Sequence, residues 1–324
     1  MAAAVALAVV TLGALPAAAA PPVVTLDDVK LEHGLTRYEL SVPAGRLASR
    51  NPLVVLVAGY AVPMVVWTDT VPALLAKDFS VLRFDFYGRG RSARPHVAYA
   101  PDLFADQLRE LVATLELPAK FHVVASSMGS IVTAVFANRH PDVLDRVVLV
   151  SPAGLSEKFP SMITLFKVPA VGPWYFRHSF KGIMLEHLQE NLAIDYRNYP
   201  DVLAEFRWQL TQAGSADAMY STLRRTLLRD SRDDFRGLGG LHRPTRVLWG
   251  TRDRLVPFRD SRKALKSAIP HHELCAVTKA AHLPQVERWE QFNPLVAQFL
   301  SAQPDEPLAR CDARPLERKT WPLE

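Results

Sequence analysis

Residues 121–139 read Phe121-His122-Val123-Val124-Ala125-Ser126-Ser127-Met128-Gly129-Ser130-Ile131-Val132-Thr133-Ala134-Val135-Phe136-Ala137-Asn138-Arg139. The first four residues are an apolar run of strand character, and Ile131 to Arg139 carries a helical pattern. Ser127 is squeezed between them, in a turn so tight that its flanking side chains must be small. Such a turn lifts the serine hydroxyl out of the sheet, an arrangement known as a nucleophile elbow. A free serine hydroxyl is a poor nucleophile and needs a base beside it. A chain organised around this turn should therefore supply a histidine and a carboxylate farther along.

Moving outward, short apolar and β-branched runs alternate with helical patterns. Leu53–Val57, Phe79–Phe84, Phe121–Val124 and Arg146–Val150 read as strands, and their near-continuous hydrophobicity suits parallel strands buried on both faces. Between the second and third, Phe104, Leu108, Leu111, Val112 and Leu115 recur at spacings of three and four, which predicts an amphipathic helix over 101–117. The rhythm breaks from about Leu155 to Gly237, a helical, aromatic stretch interrupted by Pro160, Pro169, Pro173 and Pro200. It resumes with a strand at 245–249, a helix near 259–268, a strand near 273–278 and a final helix near 290–302. The expected fold class is α/β, a mostly parallel sheet flanked by helices with an inserted helical cap. The expected organisation is a leader over 1–20, a core over 23–154, the cap over 155–237, the rest of the core over 238–303, and an irregular Pro- and charge-rich tail over 304–324.

Four further motifs accompany the elbow. Val57-Ala58-Gly59-Tyr60 follows the first strand, and Asp85-Phe86-Tyr87-Gly88-Arg89-Gly90-Arg91-Ser92 follows the second. Gly250-Thr251-Arg252-Asp253-Arg254-Leu255-Val256-Pro257 and Ala280-Ala281-His282-Leu283-Pro284 come late in the chain. In this order they resemble the α/β-hydrolase fold family, in the manner of a capped serine esterase or lipase, along almost the whole chain after the leader. Ser, then Asp, then His is the order that this fold uses. The resemblance implies that Ser127 is the nucleophile, His282 the general base and Asp253 the residue that orients the imidazole. It also implies an oxyanion hole made by the backbone amides of Met128 and Tyr60. Three positions depart from the family's habit. Ala125 and Ala281 stand where Gly is commoner, and Ala58 replaces a frequent His that orients the oxyanion loop. Asp85 reads as a residue that orders its own turn, and Ser126 and Ser130 as helix-start and packing residues. The other nine histidines, His187 among them, have no motif around them.

The composition is that of a folded enzyme. Of the 324 residues, 49% are hydrophobic and 22% charged, which excludes bulk disorder. The net charge of +5 is scattered, with no basic block of the kind that binds nucleic acid. Met1 to Ala20 lacks any charged side chain, and its apolar centre is followed by Pro16 and Ala17–Ala20. That pattern resembles a secretory signal and gives an expectation of export, periplasmic or secreted; an uncleaved membrane anchor is the alternative. Cys275 lies in an apolar run and Cys311 in the polar tail. They read equally as one bridge pinning the tail or as two separate thiols, and no Cys/His cluster suggests zinc.

The cap segment is rich in aromatic and methionine side chains, including Phe159, Met162, Phe166, Trp174, Phe176, Phe180, Met184, Phe206, Trp208 and Met219. This load suggests an apolar acyl or aryl substrate, although many of these residues must also pack the cap itself. The expected activity is hydrolysis of a carboxylic ester or lipid through an acyl-enzyme, with no cofactor and no metal, and with a lipid surface as a candidate contact. The rivals are a same-fold serine enzyme acting on carbon–carbon, amide or peroxide bonds, an acyltransferase, and a non-catalytic binder of apolar ligands.

Overall fold

Strands β3 (Leu53–Val57) and β5 (Phe121–Ser126) are buried along their whole length, and β6 (Leu144–Val150) over its last four residues. Apolar side chains on both sides of each strand leave no face for water, so helices must cover the sheet on both sides. The computed structural model describes residues 20–155, 166, 168, 170–190, 192, 196–302 and 311–317. Residues 1–19 of the expected leader, Phe159 and Met162 of the insert, and most of the tail lie outside the described residues.

Eight strands form one sheet in the order β1-β2-β4-β3-β5-β6-β7-β8, with β1 at Val23–Leu31, β2 at Gly34–Val42, β4 at Ser80–Phe84, β7 at Thr245–Gly250 and β8 at Glu273–Val277. β1, β2 and β4 pair antiparallel; every pair from β4 to β8 is parallel. Val55 sits centrally, opposite Leu82 on one side and Val123 on the other. The chain leaves β3 for β4 and returns across it to β5. The strand order therefore reverses between β3 and β5, and the crevice beyond the carboxyl ends of the strands at such a reversal is where open α/β sheets bind ligands.

Helix α1 (Thr70–Leu75) packs against α10 (Trp289–Ser301), while α2 (Pro101–Thr114) packs against α3 (Met128–Arg139). α3 also contacts α7 (Arg232–Gly240), which in turn contacts α8 (Phe258–Ala268). Met128 to Ala137 of α3 are buried on every side, as a helix wedged between a sheet and two others requires. Between β6 and α7 the chain forms α4 (Val171–Glu190), α5 (Pro200–Gln209) and α6 (Ser215–Thr222), followed by a π-helical turn at Leu223–Leu227. Phe176 is fully buried there among the rings of Phe166, Phe180 and Tyr220, so much of the aromatic load packs the insert itself.

Two local features differ from the sequence reading. The β1–β2 hairpin was not expected. Its first strand is exposed over its first six residues, so it lacks the apolar signal of the buried strands. α2 stops at Thr114, because Glu116 takes a left-handed φ of 51° that no helix can continue through. The alternative left open for the cysteines is resolved in favour of a disulfide between Cys275 on β8 and Cys311. Beside it, the Ala276 amide donates to the Asp312 carbonyl at 3.0 Å, so the described segment 311–317 lies against the outer side of β8. α9 (Pro284–Glu287) and α11 (Arg314–Glu317) are single turns. Among the described residues, no helix is long and apolar enough to cross a membrane.

Candidate active site

β5 ends at Ser126 and α3 begins at Met128, leaving Ser127 alone to make the turn, at φ 51° and ψ −117°. A non-glycine residue there carries strain on the order of 1–3 kcal/mol, which the surroundings must impose. They do so through the backbone. Ser127 N–H donates to Val150 O at 2.8 Å, and Ser127 O accepts from the amides of Ser130 and Ala153. The Ser130 hydroxyl donates to Ala125 O, the packing role expected of it. Gly129 has to be glycine, because a β-carbon would lie 2.6 Å from Ala58 O and 2.8 Å from Val57 O. The elbow is thereby pressed against the end of β3. A β-carbon on Gly59 would touch that of Ser127 at 3.4 Å, so Ala58-Gly59-Tyr60 runs beside the serine.

Asp253 and His282 come from the loops after β7 and β8. Nδ1 of His282 lies 2.8 Å from Oδ2 of Asp253, with both side chains excluded from solvent. A carboxylate only accepts, so the neutral ring carries its proton on Nδ1 and keeps a lone pair on Nε2. Asp253 Oδ1 accepts from the Val256 amide at 2.8 Å, which fixes the carboxylate. The histidine loop is held by Glu287, whose Oε2 accepts from Ala281 N–H at 2.7 Å. Nε2 of His282 is buried and has no hydrogen-bond partner among the described residues. The structure thus joins two of the three expected triad residues directly. It places Ser127, at the same carboxyl edge of the sheet, without a hydrogen bond to the ring. Resting catalytic contacts of this kind often close only when substrate binds.

Met128 heads α3, where the leading amides of a helix have no carbonyl of their own helix to bond. Tyr60 is held on two sides. Its hydroxyl donates to Met219 O at 2.8 Å, and its carbonyl accepts from Arg89 Nε at 2.8 Å. Burial pushes the Tyr60 phenol up, and it pushes the Arg89 guanidinium down to about 10. Asp85 orders its own turn. It accepts from the amides of Met64 and Arg91, and a β-carbon on Gly90 would lie 2.0 Å from its carboxylate.

One residue beside the site had no signal in the sequence. His187 on α4 places its ring edge-on to Tyr60, with centroids 5.7 Å apart. Burial, and then the charge of His282, hold its imidazole at about 4. Nearly a hundred residues separate His187 from His282, so no local spacing could have found it. Two surface hollows, of about 500 and 400 Å³, lie elsewhere. The first is lined by His242 and His271, the second by Arg83, Glu39, Arg91 and Glu205, whose charges are paired.

The chain matches a family model described as alpha/beta hydrolase fold over residues 52–288. It is 29% identical over 240 residues to a 2-hydroxymuconate semialdehyde hydrolase of Pseudomonas sp. (strain CF600), covering 72% of this chain and 81% of that one. It is 26% identical over 302 residues to an uncharacterized protein of Mycobacterium tuberculosis (strain ATCC 25618 / H37Rv), covering 87% and 82%. An esterase from Exiguobacterium antarcticum, 14% identical, shares the fold with a TM-score of 0.71 over 86% of this chain and 100% of that one. With the match spanning every strand from β3 to β8, the chain belongs to the α/β-hydrolase fold family.

Proposed function

We propose that the protein is a serine hydrolase that cleaves carboxylic esters of apolar acyl or aryl substrates. The observation that carries this reading is the buried Asp253–His282 pair, whose Nε2 is left unbonded at the sheet edge that also holds the strained Ser127. The Ser127 hydroxyl attacks the acyl carbon while His282 Nε2 takes its proton. His282 then returns the proton to the leaving alkoxide, and the alcohol departs. Water, deprotonated by the same nitrogen, attacks the acyl-enzyme and releases the acid and the serine. Asp253 keeps the imidazole in the required tautomer and stabilises its charged form. The amides of Met128 and Tyr60 bond the oxyanion that forms in both steps.

In this reading the helices between β6 and α7 form a cap over the site. Exposed Trp174 and Val171 at the start of α4 support a contact with a lipid surface, since an indole suits the boundary between apolar and wet phases. The Cys275–Cys311 bridge supports export, because disulfides persist in oxidising compartments.

A second reading keeps the same residues and changes the bond. The 29% identical relative is named for hydrolysing 2-hydroxymuconate semialdehyde, a compound with no ester group, which favours a carbon–carbon bond beside a carbonyl as the alternative. Reaction of the purified protein with a fluorophosphonate, followed by mass spectrometry, tests what both readings share. Labelling at Ser127 that disappears in His282→Ala supports an activated serine, and a panel of esters against vinylogous ketones then separates the two. Folded protein that stays unlabelled would remove both.

A further inference from the structure

The oxyanion loop is bonded to the helical insert as well as to the sheet. Gln209, the last residue of α5, is fully buried and uses both ends of its amide. Its Nε2 donates to Ala61 O at 2.6 Å, and its Oε1 accepts from Gly90 N–H at 2.9 Å. The neighbouring Tyr60 hydroxyl donates to Met219 O on α6. Arg89, from the same turn as Gly90, donates to Tyr60 O. The two carbonyls that follow the Tyr60 amide, those of Tyr60 and Ala61, are therefore each fixed by a buried side chain. Residue 58, from which an orienting side chain could otherwise reach this loop, is an alanine here.

The contact with α5 is anchored well beyond one bond. Arg91 pairs with Glu205 at 2.9 Å and lies over the Trp208 ring at 4.4 Å. The Ser215 hydroxyl donates to Gln209 O and accepts from Arg94 Nε, which ties the end of α5 back to the turn after β4. A shift of α5 relative to the sheet would move Gln209, and with it Ala61 and the peptide that presents the Tyr60 amide.

We infer that the helical insert sets the orientation of the oxyanion loop through two positioning contacts, that of Gln209 with Ala61 and Gly90 and that of the Tyr60 hydroxyl with Met219. This rests on the assignment of Ser127 as nucleophile and of the Tyr60 amide as an oxyanion donor. The consequence is selective. Loss of Gln209 weakens stabilisation of the tetrahedral state and leaves ground-state binding largely alone, because Gln209 touches the loop and not the acyl group. Loss of a whole oxyanion donor typically costs about 10²–10³ in rate, so misplacing one should cost about 10–100-fold.

The test compares wild type, Gln209→Met and Tyr60→Phe, with rates normalised to the fraction of Ser127 that a fluorophosphonate labels at completion. Gln209→Met should lower kcat on a short-chain p-nitrophenyl ester by about 10–100-fold with KM within about twofold. Its affinity for phenylboronic acid, whose tetrahedral serine adduct places an oxygen in the same hole, should fall in proportion to kcat. Tyr60→Phe, which removes only the bond to Met219, should move both quantities the same way by a smaller factor, and it carries the test if Gln209→Met does not fold. Wild-type kcat and boronate affinity in a folded Gln209→Met, or in Tyr60→Phe where that is the variant available, would overturn the inference alone. No turnover and no Ser127 labelling in folded wild type would instead overturn the assignment beneath it.

Discussion

Gly250 and Ala281 meet backbone to backbone: a β-carbon on Gly250 would lie 1.8 Å from the Ala281 carbonyl oxygen. This contact closes the loop after β7 onto the loop after β8, and so brings Asp253 to His282. Gly250→Ala cannot be accommodated by a rotamer change, since the obstacle is main chain. We expect roughly 3 kcal/mol of destabilisation in urea unfolding, together with a large loss of kcat as the carboxylate and imidazole separate. A variant with wild-type stability and kcat would contradict the role given to this contact.

Asp253→Asn keeps the shape of the side chain while removing its charge. The amide can present its nitrogen to Nδ1, which would hold the proton on Nε2, where it blocks the transfer from Ser127. The expected outcome is a folded protein with kcat reduced on the order of 10³–10⁴-fold. Steady-state kinetics beside circular dichroism would check it, and a loss smaller than tenfold would mean that the pair is only structural.

At Ser127 stability and chemistry pull in opposite directions. Glycine accepts a φ of 51° without strain, so Ser127→Gly should raise the unfolding free energy by up to about 1 kcal/mol while abolishing turnover. Ser127→Ala should also be inactive, at close to wild-type stability. Thermal melts of the three proteins decide the stability order, and normal turnover in either folded variant would exclude Ser127 as nucleophile.

His187 makes the fold sensitive to acid. Its ordinary value of 6.5 is held at about 4 in the folded protein, by burial first and then by the charge of His282. As pH falls through 6.5 the unfolded chain takes up a proton that the folded chain refuses until about 4. Stability therefore declines across that window and this contribution stops changing below it. The full gap is worth roughly 3 kcal/mol at most, and we expect about 1–2 kcal/mol of it to appear in the measured stability. His187→Gln should flatten the Tm profile between these two pH values; an unchanged slope would show that the ring is not the titrating group.

The bridge between Cys275 and Cys311 closes a loop with a sequence separation of 36. A constraint of that length on the unfolded chain is worth about 2–4 kcal/mol. Cys311→Ser, or reduction of the native protein, should lower Tm accordingly while leaving kcat close to wild type. Equal melting with and without reductant would mean that the bridge adds nothing to stability.

What the sequence made readable was local. Ser127, Asp253 and His282 each sit in a short motif at the end of a strand, and the continuous apolar runs announced β3, β5 and β6. The β1–β2 hairpin escaped because Asp27, Asp28 and Lys30 break any apolar run in a strand that has solvent beside it. His187 and Gln209 escaped for another reason. Their positions depend on how α4 and α5 lie against the sheet, and a side chain that acts across more than a hundred residues leaves no spacing to read. The pairing of Cys275 with Cys311 likewise needed the path of the tail, which composition does not give.

The bond between Asp312 and β8 has a further consequence for how copies of the chain meet. A sheet has two outer strands, and an outer strand with free amides and carbonyls invites pairing with another molecule. Here the two borders are guarded differently. Asp312 occupies a bonding position beside Ala276, while β1 relies on Asp27, Asp28 and Lys30 to keep the exposed Val23, Val24 and Leu26 from assembling. Trimming the chain before Cys311 would unseal the first border and convert a self-contained sheet into one that can grow by adding strands.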